Sequence, residues 1–307
     1  MVVAPSAPAL VGILNLTDDS FAGDGLGADV DAALRRAEEM LLQGAAWLDV
    51  GAESSRPGAK AVDEATERRR VEAVCAALVG RFSAQVAVDT RRASTAEAAL
   101  AAGARMVNDT SGWPTPAMAA VVRKAGAAWV LMHAPHELGA MGPSQAATTM
   151  PRGAVAGVAK IADDLRRMRE DALSAGVAPW QLIADPGIGF GKDVPQNLAL
   201  LLPQPALRSL GMPLYLGPSR KSVLGAVTGR SVEDRLPATA VAVAAAVGAG
   251  AAYLRVHDVA AAADAVAMAI ALMAVMAEGE LRPAAGDGRV PGIQADQLQI
   301  GAAGGGG

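Results

Sequence analysis

The sequence contains a single cysteine among 307 residues, and this scarcity excludes two classes of site. One thiol cannot form an internal disulfide, and it cannot build the cysteine clusters that hold structural zinc. Cys75 lies in the mostly apolar segment 71–78, where we expect it to be a packing residue of a helix rather than a reactive thiol.

Aromatic residues are also rare, at 3% of the chain, and there is no excess of positive charge. The formal net charge is −4 and the isoelectric point is about 5.5. A weakly acidic chain has no general affinity for nucleic acid or for an anionic membrane surface, so neither is expected as a partner.

Long, strongly apolar runs are missing as well, because alanine supplies the largest share of the 52% hydrophobic content. We expect the alanine-rich stretches 239–252 and 259–277 to fall short of the roughly 20 apolar residues that a membrane span needs. They are predicted to be helices of a soluble fold, and one of them can form a dimer face. The first residues carry no basic group before their apolar residues, unlike a signal peptide, so a cytoplasmic location is predicted.

Eight short apolar segments recur along the chain, and amphipathic, helix-like segments such as 29–43, 93–102 and 158–175 lie between them. Glycine followed by alanine precedes four of the apolar segments, at Gly44, Gly103, Gly126 and Gly250, as expected where a helix ends and turns into a strand. The predicted strands are 10–14, 46–50, 85–88, 105–108, 128–132, 181–184, 213–216 and 252–256.

Strands that alternate with helices predict parallel pairing, and eight such units predict a closed α/β barrel, the (β/α)8 or TIM barrel. In that fold the active site lies at the C-terminal ends of the strands. We expect residues 1–278 to form this single domain. Residues 279–307 are rich in glycine and end in four consecutive glycines, so we expect a disordered tail.

The run 185–192, DPGIGFGK, follows the sixth predicted strand and is the most informative motif of the chain. Its glycines let the backbone approach a flat or charged ligand closely. The carboxylate of Asp185 at the strand end can hold a polar ring through paired hydrogen bonds.

Polar residues follow the other predicted strands too, and they fall into two chemical sets. One set suits a polar heterocycle: Asp89, Asn108, Asp185 and Lys221. The other suits an anion or a metal-bound phosphate: Asn15, Arg56, Arg255 and His257. Asp49, His133 and Ser219 complete the strand ends, and His133 is open to interpretation either as a site residue or as a packing residue.

Several motifs lie at or near the predicted strand ends. They are GILNLTDDSF at 12–21, DVGAESSRPG at 49–58, VDT at 88–90, VND at 107–109, MH at 132–133, the run 185–192, SRKS at 219–222 and RVHD at 255–258. These motifs, in this order, resemble those of the dihydropteroate synthases. The resemblance spans residues 10 to about 276 and implies a (β/α)8 barrel. It also implies condensation of 6-hydroxymethyl-7,8-dihydropterin pyrophosphate with p-aminobenzoate in folate biosynthesis.

The resemblance implies roles for named residues. The pterin would be held by Asp89, Asn108, Asp185 and Lys221, and the pyrophosphate by Arg56, Arg255 and His257. Asn15 would ligate Mg²⁺, and Asp49 would position Asn15 or a water beside the metal. The p-aminobenzoate ring would be bordered by Ser55, which keeps the hydroxyl of the family's threonine, and by Pro57, Phe190, Ser219 and the stem of Lys221. Sulfonamides are implied competitors, and a homodimer formed by helices far from the active face is implied as well.

The chain departs from the family pattern at a few positions. Asp18 replaces a usual proline, Asp24 is displaced by one position, Ala52 replaces glycine and Val223 replaces phenylalanine. We expect these changes to lie in mobile loops or beside the p-aminobenzoate. They leave room for a paralogue that binds pterin without turnover, and a pterin-dependent methyltransferase domain is a further alternative.

Less specific interpretations remain for several residues. Asp49 and Asp89 suit helix caps, Asn108 suits a turn, and Lys221 next to Arg220 suits a solvated basic pair. Arg220 itself is expected to pair structurally with an acid. The run 67–70, ERRR, predicts a solvated helix face, and the four tryptophans and residues such as Met268, Met273 and Met276 are expected to pack in the core or between helices.

Overall fold

Eight parallel strands close into a barrel in the computed structural model, which describes residues 7–16, 29–53, 62–82, 85–134 and 153–277. Each strand pairs with its neighbours in chain order, and β8 returns to β1. The strands β1 to β8 are Ala9–Asn15, Trp47–Gly51, Gln85–Thr90, Met106–Asp109, Ala128–Met132, Leu182–Asp185, Leu214–Leu216 and Ala251–Val256. The predicted (β/α)8 fold and all eight predicted strands are confirmed.

Helices alternate with the strands and surround the barrel. The helices α1 to α10 are Val30–Leu42, Glu64–Phe82, Ala93–Ala101, Pro116–Ala125, Ala154–Ser174, Val194–Ala199, Pro205–Arg208, Ser222–Thr228, Leu236–Ala249 and Val259–Ala277, and a 3₁₀ turn at Pro179–Gln181 precedes β6. Gly44, Gly103, Gly126 and Gly250 all have positive φ between a helix end and the next strand. Their predicted role as helix-terminating residues is therefore confirmed, since this conformation suits glycine.

The core has an outer layer between strands and helices and a smaller layer inside the barrel. The inner layer consists of Val11, Ala87, Met106, Val130, Ile183 and Tyr215. Side chains alternate between the two faces of a strand, so the residue two positions later returns to the barrel interior. Those residues include Asp89, Asn108 and Asp185, which are buried. The alternation that builds the core thus places a polar layer above an apolar one.

Cys75 packs in the outer core as predicted. Burial disfavours the thiolate and raises the pKa of this thiol to about 12, so it is unreactive at neutral pH.

Several packing predictions are wrong. Trp180 is 71% exposed in the 3₁₀ turn, and Met268 and Met276 are exposed on the outer side of α10, because these positions face away from the barrel. Ala52 and Val223 are buried in the outer core, so neither belongs to an exposed loop, and their expected position beside the p-aminobenzoate stays a prediction. Asp18, Asp24 and Ser55 lie outside the described residues, as does the segment 279–307.

The expectation that neither alanine-rich stretch resembles a membrane span is wrong for α10. Among the described helices, α10 alone is long and apolar enough to cross a membrane, by length and composition. In the structure α10 is the last helix of the barrel and packs against α9 and β1, which explains its apolar composition without a membrane.

Candidate functional site

The strand register gathers the predicted site residues at one end of the barrel. Asp89 lies opposite Gly51 on one side and Asn108 on the other. On the far side of the barrel, Asp185 lies opposite Met132. Asp49 and Arg255 each come two positions after an aromatic residue that packs against the inner apolar layer, so they also return to the interior.

Arg255 links two buried carboxylates in this layer. Its Nε lies 2.5 Å from Asp49 Oδ2, and its Nη2 lies 2.8 Å from Asp89 Oδ2. Asn108 Nδ2 donates to the same Asp49 oxygen at 3.0 Å. The contacts of Asp49, Asp89 and Asn108 therefore lie within this buried polar layer and are not those of helix caps or turn residues. The resemblance associates Asp49 with Asn15 and the metal, whereas the contacts that define its position here are with Arg255 and Asn108.

The two carboxylates assigned to the heterocycle are hard to ionise. Burial raises the pKa of Asp89 to about 7, and Asp49 adds to this effect while Arg255 and Lys221 oppose it. Burial also raises the pKa of Asp185 to about 6, against the opposing hydrogen bond from Gly187 and the nearby lysines. Both groups change charge near neutral pH, as is common at functional sites.

The glycine loop after β6 turns tightly beneath the site. Gly187 N donates to Asp185 Oδ1 at 2.7 Å, which orients the carboxylate. Gly187, Gly189 and Gly191 all have positive φ. A Cβ at Gly187 would lie 2.0 Å from the carbonyl oxygen of His133, so the close approach of two backbones requires glycine at this position.

Gly187→Ala is expected to lower the free energy of unfolding by at least about 2 kcal/mol, because it adds a backbone clash to the cost of positive φ. Gly44→Ala is the matched control: Gly44 also has positive φ, but a Cβ there meets no atom within 4 Å. Its expected cost is about 1 kcal/mol. Urea denaturation of both variants tests the difference, and equal losses would contradict it.

Lys221 and Phe190 form the side of the site next to the glycine loop. Lys221 Nζ lies 4.1 Å from the centroid of the Phe190 ring, within the range of a cation–π contact. Lys221 is the residue before α8. Ser219 is buried, and its Oγ accepts a hydrogen bond from the backbone N–H of His257 at 3.2 Å, which ties the ends of β7 and β8 together.

Arg220 has the structural role that the sequence suggested. Its Nε and Nη2 form a two-point ion pair with Asp258 at 3.0 and 2.6 Å. It is the one described non-glycine residue with positive φ, at 56°. The ion pair with Asp258 fixes this backbone conformation, which positions Lys221.

His133 contacts α5, and this supports the packing interpretation. Its Nε2 lies 3.1 Å from Asp164 Oδ2, and Lys160 pairs with the same carboxylate. Burial lowers the pKa of His133 to about 4, with a further lowering by Lys192, so the ring is neutral at physiological pH. The neutral ring fastens the end of β5 to α5.

The remaining predicted residues are described only in part. Asn15 is the last residue of β1, opposite Gly51, and His257 follows β8 and is buried. Ser55, Arg56 and Pro57 lie outside the described residues. The sequence alone assigned no role to Lys192, which is buried. Its position at the end of the run 185–192, which begins with Asp185, was a signal that could have indicated one.

Comparison with known proteins identifies similar chains. A family model described as pterin binding enzyme matches residues 11–257. The dihydropteroate synthase of Mycobacterium leprae is 42% identical over 257 residues, which cover 81% of this chain and 88% of that protein.

Solved structures agree with this. The Yersinia pestis dihydropteroate synthase, in complex with a sulfonamide drug, superposes with a TM-score of 0.79 at 33% identity. The match covers 87% of this chain and 95% of the Yersinia chain. The Burkholderia cenocepacia dihydropteroate synthase, complexed with 7,8-dihydropteroate, superposes with a TM-score of 0.76 at 37% identity and covers 88% of this chain and 93% of its own. The similarity thus extends from β1 to β8.

Proposed function

The chain belongs to the pterin-binding enzyme family as a dihydropteroate synthase, and from this premise we propose how its residues carry out the reaction. The reaction joins 6-hydroxymethyl-7,8-dihydropterin pyrophosphate to p-aminobenzoate and yields 7,8-dihydropteroate and pyrophosphate. The observation that carries the residue assignment is the buried polar layer of Asp89, Asn108 and Asp185, with Lys221 beside it.

The pterin ring is held by this polar layer. Its 2-amino group and ring N–H groups are donors, and the ionised carboxylates of Asp89 and Asp185 accept from them. Asn108 Oδ1 is buried and has no hydrogen-bond partner among the described residues, so it offers a third acceptor. Lys221 donates to the pterin carbonyl. The apolar inner layer beneath the site keeps these contacts in a low-dielectric environment, where they are strong.

The pyrophosphate is bound on the Arg255 side of the mouth. Arg255 lies near the end of β8 and His257 directly follows that strand, and we assign Arg56, outside the described residues, to the same anion. Arg255 also contacts Asp49 and Asp89, so it joins the pterin and pyrophosphate subsites. Guanidinium groups match phosphate oxygens geometrically and stabilise the charge that develops on the leaving group.

Mg²⁺ is the proposed metal, with Asn15 as its protein ligand. Amide oxygen is a donor that Mg²⁺ prefers, and this ion often binds through one or two protein oxygens together with substrate phosphates. Within the described ranges no group of three or more histidine, cysteine or acidic side chains could hold a metal, and this binding mode needs none. Asp49 Oδ1 is buried and has no hydrogen-bond partner in the described part of the chain, so it is suited to orient a metal-side water. When bound, Mg²⁺ neutralises charge on the pyrophosphate.

The chemical step is a displacement at the pterin methylene carbon. The amine of p-aminobenzoate forms the new C–N bond, the C–O bond to pyrophosphate breaks, and pyrophosphate leaves with the bonding electrons. The attacking nitrogen then loses a proton to solvent water. Positive charge developing on the methylene is stabilised by Asp89 and Asp185, while Phe190, Ser219 and the Lys221 stem border the incoming ring. Pro57 and Ser55, outside the described residues, are assigned to that side as well.

Sulfonamides are proposed to compete for the p-aminobenzoate position, because the Yersinia pestis relative is solved with such a drug. A paralogue that binds pterin without turnover would keep the pterin contacts and lack the chemical step.

Measuring pyrophosphate release distinguishes the synthase from a paralogue that binds pterin without turnover. The wild-type protein with Mg²⁺ is expected to release pyrophosphate from the pterin substrate in step with dihydropteroate formation, and only when p-aminobenzoate is present. Lys221→Ala is expected to lower kcat/KM for the pterin by about a hundredfold, because a charged donor to the substrate is lost. Lys124→Ala, at an exposed lysine, is the matched control and should behave like wild type. Pterin binding without release would favour the paralogue.

A homodimer is proposed through α9 and α10. These helices pack against one another, and their described residues include one charged side chain, Asp264. Their exposed large apolar side chains are Leu236, Val241, Met268, Leu272 and Met276. An apolar face of this extent, with a single charged side chain, fits a second copy of the chain.

Leu272→Glu is expected to convert the dimer to a monomer in light-scattering measurements, because it buries a charge in the proposed interface. Val155→Glu places the same charge at an exposed position on α5 and should leave the mass unchanged. A wild-type protein that is monomeric at micromolar concentration, or that sediments with lipid vesicles, would contradict this proposal.

A further inference from the structure

Lys192 is fully buried beneath the glycine loop, and none of the roles assigned above uses it. Its Nζ donates to the carbonyl oxygen of His133 at 3.1 Å and to that of Phe190 at 2.9 Å. A lysine with no exposed surface is rare unless its charge is compensated, so this position needs an explanation.

The two carbonyls that Lys192 holds belong to the two sides of the pterin subsite. His133 N donates to the backbone oxygen of Asp185 at 2.8 Å, so the His133 backbone is fixed to the strand end that carries the carboxylate. The Phe190 carbonyl belongs to the residue whose ring contacts Lys221. One buried amine therefore connects the residues that present Asp185 and Lys221.

The surrounding contacts leave the loop little freedom. Asn197 Oδ1 accepts from Gly189 N at 2.6 Å, and its Nδ2 donates to the carbonyl oxygens of Lys192 and Asp193 at 3.0 and 2.9 Å. Asn197 braces the outer part of the loop from α6. Lys192 braces the inner part, because its Nζ lies 3.1 Å from the position that a Gly187 Cβ would take.

We propose that Lys192 is a positioning residue of the active site: it holds the glycine loop in the shape that presents Asp185 and Phe190, and it supplies buried positive charge opposite Asp185. The inference rests on the proposed role of Asp185 in binding pterin. Lys192 does not touch the substrate in this scheme, since the loop backbone lies above it.

The electrostatics of the cluster agree with this role. Burial lowers the pKa of Lys192 to about 7, while Asp185 and, more weakly, Asp164 oppose that shift and Lys221 adds to it. Reciprocally, Lys192 lowers the pKa of Asp185, together with Lys221 and Arg255. Protonated Lys192 thus helps to keep Asp185 ionised, and an ionised Asp185 is the form that accepts hydrogen bonds from the pterin.

Lys192→Met tests the proposal, because methionine nearly matches the lysine stem but has no charge and no donor. Its KM for the pterin substrate is expected to rise about tenfold, and the acid limb of kcat/KM is expected to move up by about half a unit to one unit, as Asp185 loses a stabilising charge. Asn197→Ala is the matched control: it weakens the loop without removing charge, so its acid limb should coincide with that of wild type.

A double-mutant cycle separates failure of this inference from failure of the assigned function. The effect of Lys192→Met should shrink when Asp185 is already asparagine. If the effects of the two substitutions on KM were fully additive, or if the acid limb did not move in Lys192→Met, the inference would be overturned. The role of Asp185 in pterin binding would still stand if Asp185→Asn alone raised the pterin KM. An Asp185→Asn variant with unchanged pterin KM would instead overturn the role of Asp185.

If Lys192→Met does not fold, the coupling can be measured with the lysine retained. The chain has five lysines, so ¹³Cε-lysine signals can be assigned by replacing the other four, Lys60, Lys124, Lys160 and Lys221, with arginine one at a time. Lys192 is expected to titrate well below the exposed lysines, and lower still in Asp185→Asn. The proposal would be contradicted if Lys192 titrated like the exposed lysines and if its titration were unchanged in Asp185→Asn.

Discussion

Arg255→Met is expected to lower kcat/KM for the pterin substrate by at least about a hundredfold, more than any exposed arginine replacement. Arg255 contacts the carboxylates of Asp49 and Asp89, both of which are buried. Removing one partner of a buried ion pair typically lowers the free energy of unfolding by about 3–5 kcal/mol, because the other charge stays buried without compensation. The proposed leaving-group contact is lost at the same time, and one such contact is typically worth about a hundredfold in rate.

Two further variants give this result its meaning. Arg255→Lys keeps the positive charge but cannot bridge two carboxylates in a fixed geometry, so an intermediate loss is expected. Arg166→Met removes an arginine from an exposed pair with Asp163 on α5 and should be close to wild type. Steady-state kinetics with both substrates and thermal unfolding check all three variants. A loss of less than threefold in Arg255→Met would show that neither carboxylate depends on it.

The strand pattern was predictable from sequence because it depends on local signals. Alternating apolar segments and the glycines that end helices are read within a few residues, and they place every strand. The strand ends then identify Asp89, Asn108 and Asp185, since parallel strands in a barrel end at the same face. Even the structural role of Arg220 followed from its place beside Lys221.

Contacts between distant parts of the chain were not predictable in the same way. Arg255 meets Asp49 across 206 residues, so neither sequence neighbourhood reveals the pair. Glu67 illustrates the same limit: the run ERRR predicts a solvated helix face, yet Glu67 is buried and accepts from Thr90 Oγ1 at 2.6 Å and from Thr95 Oγ1 at 3.2 Å, and it also pairs with Arg92. A charged residue within a run of charged residues gives no local sign that a partner faces it.

The second large effect expected is on pH dependence. kcat/KM for the pterin substrate is expected to fall about a thousandfold between pH 8 and pH 5. Asp89 has a pKa of about 7 and Asp185 of about 6, and both must be ionised to accept hydrogen bonds from the pterin. Both pKa values are raised, so each carboxylate gains its proton as pH falls through that value. Since kcat/KM reports the free enzyme, its logarithm should approach a slope of two below pH 6.

Other titrating groups are separated by variants. The pKa of His133 is about 4, below the range of the effect, and Lys192 gains rather than loses charge as pH falls, which favours the ionised carboxylates. Ionisation of the substrate pyrophosphate contributes to the same limb but is the same for every variant. Asp89→Asn and Asp185→Asn should therefore each reduce the limiting slope by one. An acid limb of unchanged slope in both variants would assign the pH dependence to the substrate, and the two carboxylates would then not need to be ionised for pterin binding.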